Sequence, residues 1–162
     1  TILRGLTESG VTLHKMDAGF DTGDILLQES FPVGPEDTLE TMTEQIRVIS
    51  ARLCRNMAAD FSALWAAGRP QGAGEYWPCP RKPDYTIRET TPPQETARVL
   101  RAFFGYDCYL KTEAAEYRIV RGLFRPQEHS LPVGPAGVRE DGTPIYAVRG
   151  GFTEVQAEKR SV

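Results

Sequence analysis

Between Asp17 and Asp24 the chain places three aspartates and two glycines in the run Asp-Ala-Gly-Phe-Asp-Thr-Gly-Asp. An ionised carboxylate in such a loop can hold a water, orient a histidine and favour positive charge developing on an attacking amine. The glycines let backbone approach a ligand closely. Apolar, extended chain flanks the loop on both sides, Val11 to Met16 before it and Ile25 to Val33 after it. That pattern places carboxylates at the end of a buried sheet, a frequent location for α/β chemistry. Taken alone, Asp21 more often means a turn residue than a catalytic one, because aspartates in Asp-x-Gly segments commonly satisfy loop amides with their side chains. Asp24, entering the second run as Gly-Asp-Ile, is read as structural for the same reason. His14 is a lone histidine within a strand, a setting that more often means a packed side chain than a base.

The elements around the loop follow from patterning. Thr1 to Ser9 reads as the end of a helix terminated at Gly10. The two extended runs read as adjacent or antiparallel strands. Asp37 with Glu40 three residues later forms a capping-box pattern, so a helix starts at Thr38. Leu39, Met42, Ile46, Ile49, Leu53, Met57 and Phe61 form its apolar stripe, and a break is expected near Ala58 to Asp60. From Gly68 to Pro83, four prolines and three glycines mark a connector with Tyr76-Trp77 inside it. A short helix over Pro93 to Phe104 follows. Alternating runs at Cys108–Lys111, Tyr117–Val120, Pro144–Val148 and Phe152–Gln156 then imply a small barrel or curled sheet.

The run from Gly10 to Ile25, Gly-Val-Thr-Leu-His-Lys-Met-Asp-Ala-Gly-Phe-Asp-Thr-Gly-Asp-Ile, resembles the signature of the folate-dependent formyltransferases, the methionyl-tRNA formyltransferase-like group among them. Tyr76, Trp77, Arg81, Asp84 and Ile87 fit the family's interdomain segment in looser order. The resemblance implies an α/β chain: the late part of a Rossmann-like catalytic domain over residues 1–68, a linker over 69–83, and an OB-like β-barrel domain over 84–162. It implies 10-formyltetrahydrofolate as donor, no metal, and an amine acceptor such as an aminoacyl-tRNA or a nucleotide-linked amino sugar. By position it makes Asp21 the catalytic aspartate. It also makes Met16, Asp17, Ala18, Gly19 and Phe20 the loop whose backbone hydrogen-bonds the pterin.

The family's asparagine and His-x-Ser-Leu-Leu-Pro segment precede this loop, and residues 1–20 contain neither. The expectation is therefore a carboxyl-terminal portion with little activity alone. His129-Ser130-Leu131-Pro132 lies in the wrong half of the chain to replace that segment. The alternative is a non-catalytic module whose barrel recognises RNA, a carrier or a partner protein. Half of a sheet leaves strand edges and apolar surface uncovered, so self-association is expected.

Bulk composition is ordinary for a soluble chain: 162 residues, 40% hydrophobic and 25% charged. No apolar run is long enough to cross a membrane as a helix, and no secretory leader is visible. The net charge of −3 divides unevenly, with six Lys/Arg against eleven Asp/Glu in residues 1–78 and thirteen against eleven in 79–162. That second part is too weakly basic to define a nucleic-acid surface. Its arginines alternate with Glu89, Glu95, Glu113 and Glu116 as on a solvated face. Cys54, Cys79 and Cys108 are odd in number and far apart, which argues against a disulfide framework or a zinc site and for a reducing, cytoplasmic setting.

Overall fold

A computed structural model describes residues 1–155, a mixed α/β chain with two compact units. One unit comprises Thr7–Gly34 and Thr41–Cys79; the other comprises Thr1–Leu6, Pro35–Glu40 and the chain from Pro80 onward.

The first unit contains the acidic loop. Its strands β1 (Glu8–His14) and β2 (Ile25–Pro32) pair antiparallel, Glu8 opposite Pro32 and Leu13 opposite Leu27. A register shift at Leu13/His14 brings His14 opposite Ile25. Arg69 extends the pairing through a bridge to Ile25, with reciprocal backbone bonds of 2.8 and 3.0 Å. Helix α1 (Leu39–Ala59) follows and α2 (Phe61–Ala66) continues it after a break at Asp60, whose φ of −142° is not helical. The expected interruption therefore falls where the apolar stripe gives way to Ala58-Ala59-Asp60. Only part of the stripe is covered: Met42, Ile49 and Leu53 are buried, whereas Ile46 and Phe61 are exposed. An ion pair between Arg52 and Glu29 ties α1 to β2.

Gly10 does not end a helix. The opening turn is a single 3-10 turn over Ile2–Arg4, closed by Gly5 at φ 69°, a left-handed conformation that glycine adopts without penalty. Gly10 instead lies within β1 opposite Ser30, where a Cβ would come 2.9 Å from the Glu29 carbonyl oxygen. Close strand approach, not helix termination, accounts for that glycine.

In the second unit, β3 (Thr86–Arg88), α3 (Pro93–Ala102) and β4 (Cys108–Lys111) form a β-α-β unit, β3 and β4 being parallel as a helical crossover allows. Strand β5 (Glu116–Ile119) pairs antiparallel to β4. A separate antiparallel sheet has the order β6-β9-β8-β7, from β6 (Gly122–Pro126), β7 (Gly134–Val138), β8 (Pro144–Val148) and β9 (Gly151–Val155). Ile87, Val99, Leu100, Cys108, Leu110, Ile119 and Val148 form one buried core. Strands β6 and β7 went unread in the sequence because Gly122, Pro126, Gly134 and Pro135 look like punctuation. In the fold Gly122 is needed as glycine, since a Cβ there would meet the Ile119, Leu100 and Thr153 side chains at 2.6 to 2.9 Å. The described strands of this unit lie in a three-stranded and a four-stranded sheet. The expected last run reached Gln156, which lies outside the described residues.

Candidate active site in the acidic loop

The loop leaves β1 after His14 and re-enters β2 at Ile25. Its neck is closed by the Lys15 N–H donating to the Asp24 carbonyl at 2.9 Å. The Lys15 ammonium lies 3.0 Å from Asp24 Oδ2 and 5.4 Å from the centre of the Trp65 ring. The Gln71 amide donates to the Gly23 carbonyl at 2.6 Å. Gly23 is indispensable here because a Cβ would sit 1.9 Å from the Lys15 carbonyl oxygen. Asp24 thus engages an ammonium partner at the neck of the loop, and not the turn amides that its position suggested.

Asp17 does the turn work. Its Oδ1 accepts from the Gly19 N–H at 2.9 Å and from the Thr22 hydroxyl at 2.7 Å. The Thr22 hydroxyl, then the Gly19 N–H, holds the Asp17 carboxyl below the usual carboxylate range by stabilising its charged form. An aspartate bonding the amide two residues on is an Asx turn, which folds the segment from 17 to 22 over itself. Gly19 is close-packed in this turn, since a Cβ would fall 2.2 Å from Thr22 Oγ1.

Asp21 sits at the crest with φ 54°, the only non-glycine residue at positive φ among the described residues. Aspartate tolerates this left-handed region better than most side chains, yet the conformation is uncommon and points to a backbone held by its surroundings. The Asp21 Oδ1 lies 3.5 Å from His14 Nε2. On the other edge of the ring, Nδ1 is 2.8 Å from the Lys15 carbonyl oxygen. A carbonyl oxygen only accepts, so Nδ1 carries a proton in that bond. A recess of about 120 Å³ opens beside these groups, lined by His14, Lys15, Met16, Asp17, Gly19, Phe20, Asp21 and Thr22. Met16 and Phe20 extend from it almost wholly into solvent.

The fold therefore brings Met16, Asp17, Gly19, Phe20 and Asp21 to one recess, with Ala18 exposed between them. It adds His14, which the sequence presented as a packed strand residue. The signal that could have found it is its place as the last residue of β1, immediately before the loop; the register shift at Leu13/His14 was not legible. Among the described residues no group of three or more His, Cys, Asp or Glu is arranged to hold a metal ion. None of the described helices is long and apolar enough to cross a membrane.

The formyl transferase family profile matches residues 1–54, the stretch that contains this loop. A methionyl-tRNA formyltransferase from Syntrophus aciditrophicus (strain SB) is 37% identical over 170 residues, covering 99% of this chain and 53% of the relative. One from Synechococcus sp. (strain JA-2-3B'a(2-13)) is 35% identical over 133 residues, covering 81% and 41%. The chain thus spans about half the length of the relatives it matches. In fold it is similar to HypX from Aquifex aeolicus, solved in complex with tetrahydrofolic acid, at a TM-score of 0.72 and 18% identity over 95% of this chain and 28% of that one. It is also similar to an N-formyltransferase from Helicobacter canadensis, solved with folinic acid and dTDP-3-aminofucose, at a TM-score of 0.61 and 20% identity over 96% and 58%. The signature around Asp21, the family match across it and the shared fold make this chain a member of the folate-dependent formyltransferase family.

Proposed function

We propose that this chain supplies the Asp21 part of a site that moves a formyl group from 10-formyltetrahydrofolate to an amine. The observation that carries the reading is Asp21 itself, held at φ 54° with its carboxylate beside a recess at the end of the β1–β2 hairpin. In formyl transfer the amine nitrogen attacks the formyl carbon and the carbonyl oxygen takes up negative charge. The attacking nitrogen then loses a proton, the carbonyl re-forms as the bond to the folate nitrogen breaks, and that nitrogen departs carrying a proton. A fixed carboxylate stabilises positive charge on the attacking amine and orients the group that takes its proton. The backbone of Met16 to Phe20 presents donors and acceptors suited to the edge of a pterin, and the exposed Phe20 and Met16 side chains offer apolar surface to its face.

A recess of about 120 Å³ is smaller than the roughly 300–1,000 Å³ typical of small-molecule sites. We read it as one wall of a folate site, so this chain alone is expected to have little or no transferase activity. Residues 1–68 are then the late part of a Rossmann-like catalytic domain, 69–83 the linker, and 84–162 an OB-like domain. The acceptor is an aminoacyl-tRNA or a nucleotide-linked amino sugar, the two classes named among the relatives and structural neighbours. The odd, widely spaced cysteines favour a cytoplasmic setting.

The test is single-turnover formyl transfer by the whole protein containing this sequence, with 10-formyltetrahydrofolate and each acceptor class, against Asp21→Asn. The expected outcome is a loss on the order of 10²-fold or more in the chemical step. An Asp21→Asn protein with unchanged turnover would overturn the assignment. Retained RNA or carrier binding with no formyl transfer in either protein would favour a non-catalytic binding module instead.

A further inference from the structure

The position of His14 is not explained by packing alone. Its ring is pinned at one edge, Nδ1 donating to the Lys15 carbonyl at 2.8 Å, and the opposite edge, Nε2, faces Asp21 Oδ1 at 3.5 Å. The two side chains differ sharply in exposure, 23% for His14 and 83% for Asp21. A half-buried ring anchored to the end of β1 therefore faces a carboxylate that otherwise projects into solvent. Charged groups near the ring are Asp17 and Asp21 on the loop and Lys15 and Asp24 at its neck, the last two paired with each other. From β2, the residue in register with His14 is Ile25, which carries no charge. Asp17 Oδ1 is engaged by Gly19 and Thr22, and the carboxylate paired with Nε2 is that of Asp21.

We propose that His14 is a positioning residue for Asp21: the Lys15 carbonyl fixes the ring through Nδ1–H, and in the doubly protonated ring Nε2–H draws the carboxylate onto the rim of the recess. This rests on the formyl-transfer reading for its purpose but not for its geometry. An αL residue in a solvent-exposed loop is strained and persists only when its surroundings over-determine it. The Asx turn at Asp17 constrains the backbone on both sides of Asp21, and His14 is the side-chain contact that reaches Asp21 itself. When the ring carries both protons the contact is an ion pair, with Asp21 as the acceptor.

Amide isosteres separate positioning from packing. Glutamine places its NH₂ where Nε2 lies, whereas asparagine places its NH₂ where Nδ1 lies, and phenylalanine fills the space with no donor. The experiment is an amide and carboxyl NMR comparison of this chain with His14→Gln, His14→Asn and His14→Phe, following Asp21 and Thr22. His14→Gln is expected to leave the Asp21 signals close to wild type, while His14→Asn and His14→Phe move them together. Equal shifts in all three variants, or none in His14→Phe, would reduce His14 to a packed strand residue and overturn the proposal. The ¹⁵N shifts of His14 give a second readout: a neutral ring, whether bare at Nε2 or bare at Nδ1, would also overturn it, since the proposal needs both ring protons. In the whole protein, His14→Phe is expected to lower kcat on the order of tenfold with KM for the folate within about twofold, and His14→Gln to restore most of the loss. The NMR arm needs no folate or turnover, so it can fail or succeed independently of the proposed reaction.

Discussion

Lys15 and Asp24 meet twice across the neck of the acidic loop, once through the backbone at 2.9 Å and once through their charged ends at 3.0 Å. The backbone bond continues the β1–β2 ladder by one rung, and the ion pair lies over it. The loop between them is thereby held to a fixed span, and the Asp17 turn folds what remains. A partly exposed pair contributes at most about 1 kcal/mol, so the backbone rung and the close approach of Gly23 carry more of this geometry than the charges do.

That ranking predicts unequal effects. In Gly23→Ala the added methyl meets backbone atoms of Lys15 that cannot swing aside. We expect it to destabilise the hairpin by about 1–3 kcal/mol and to disperse the loop amide signals. Lys15→Met should cost at most about 1 kcal/mol and keep the loop signals in place. Denaturant unfolding with amide spectra of both variants decides it; a larger loss in Lys15→Met would reverse the ranking.

Asp17 gives the loop a pH dependence with a definite sign. Its carboxyl is held below the ordinary value of 3.8, first by the Thr22 hydroxyl and then by the Gly19 N–H. A depressed carboxyl stabilises the folded loop fully above that ordinary value. The contribution fades as pH falls through the lower folded value. The Asp17 carboxyl resonance should therefore titrate below 3.8, and Thr22→Val should move it upward toward 3.8. An unchanged midpoint in Thr22→Val would remove the hydroxyl from the account.

The three thiols divide by burial. Cys54 and Cys79 are exposed, while Cys108 is buried in the core and its thiol is pushed up to about 12 by desolvation. Native protein at pH 8 should react with two equivalents of a thiol reagent at once, and with a third only on unfolding. Immediate labelling of all three would contradict the position of β4.

Uncovered apolar surface in the first unit predicts association. Phe61 and Trp65 stack at 5.3 Å yet remain 54% and 44% exposed, and Ile46 and Val48 are exposed on α1. Strand β1 has β2 as its one strand partner among the described residues. We expect concentration-dependent sedimentation of this chain, reduced by Phe61→Ser with Trp65→Ser. A monomer at all concentrations would contradict this.

Legibility from the sequence followed the physics of each feature. The long amphipathic helix, its break before Phe61 and the β1–β2 pair were readable because periodicity and capping are local signals. Strands β6 and β7 were hidden because their glycines and prolines serve close packing and edge positions as well as turns. Gly10 was misread for a related reason: a glycine that admits a neighbouring strand looks like one that ends a helix. Residue order singles out Asp21 and residues 16–20, and all of these but Ala18 line the recess. The role of Asp17 as turn-maker depends on Thr22, and the approach of His14 to Asp21 depends on how the loop folds back over the end of β1. Neither relationship has a signature in residue order.

The most direct test of the central claim is an amide-resolved NMR titration of this chain with a stable folate such as folinic acid. A partial folate site on the acidic loop predicts shifts confined to residues 16–24 and their strand neighbours. It also predicts a dissociation constant weaker than about 1 mM, roughly less than 4 kcal/mol in magnitude. Shifts centred away from this loop, or micromolar binding to the chain alone, would contradict the account.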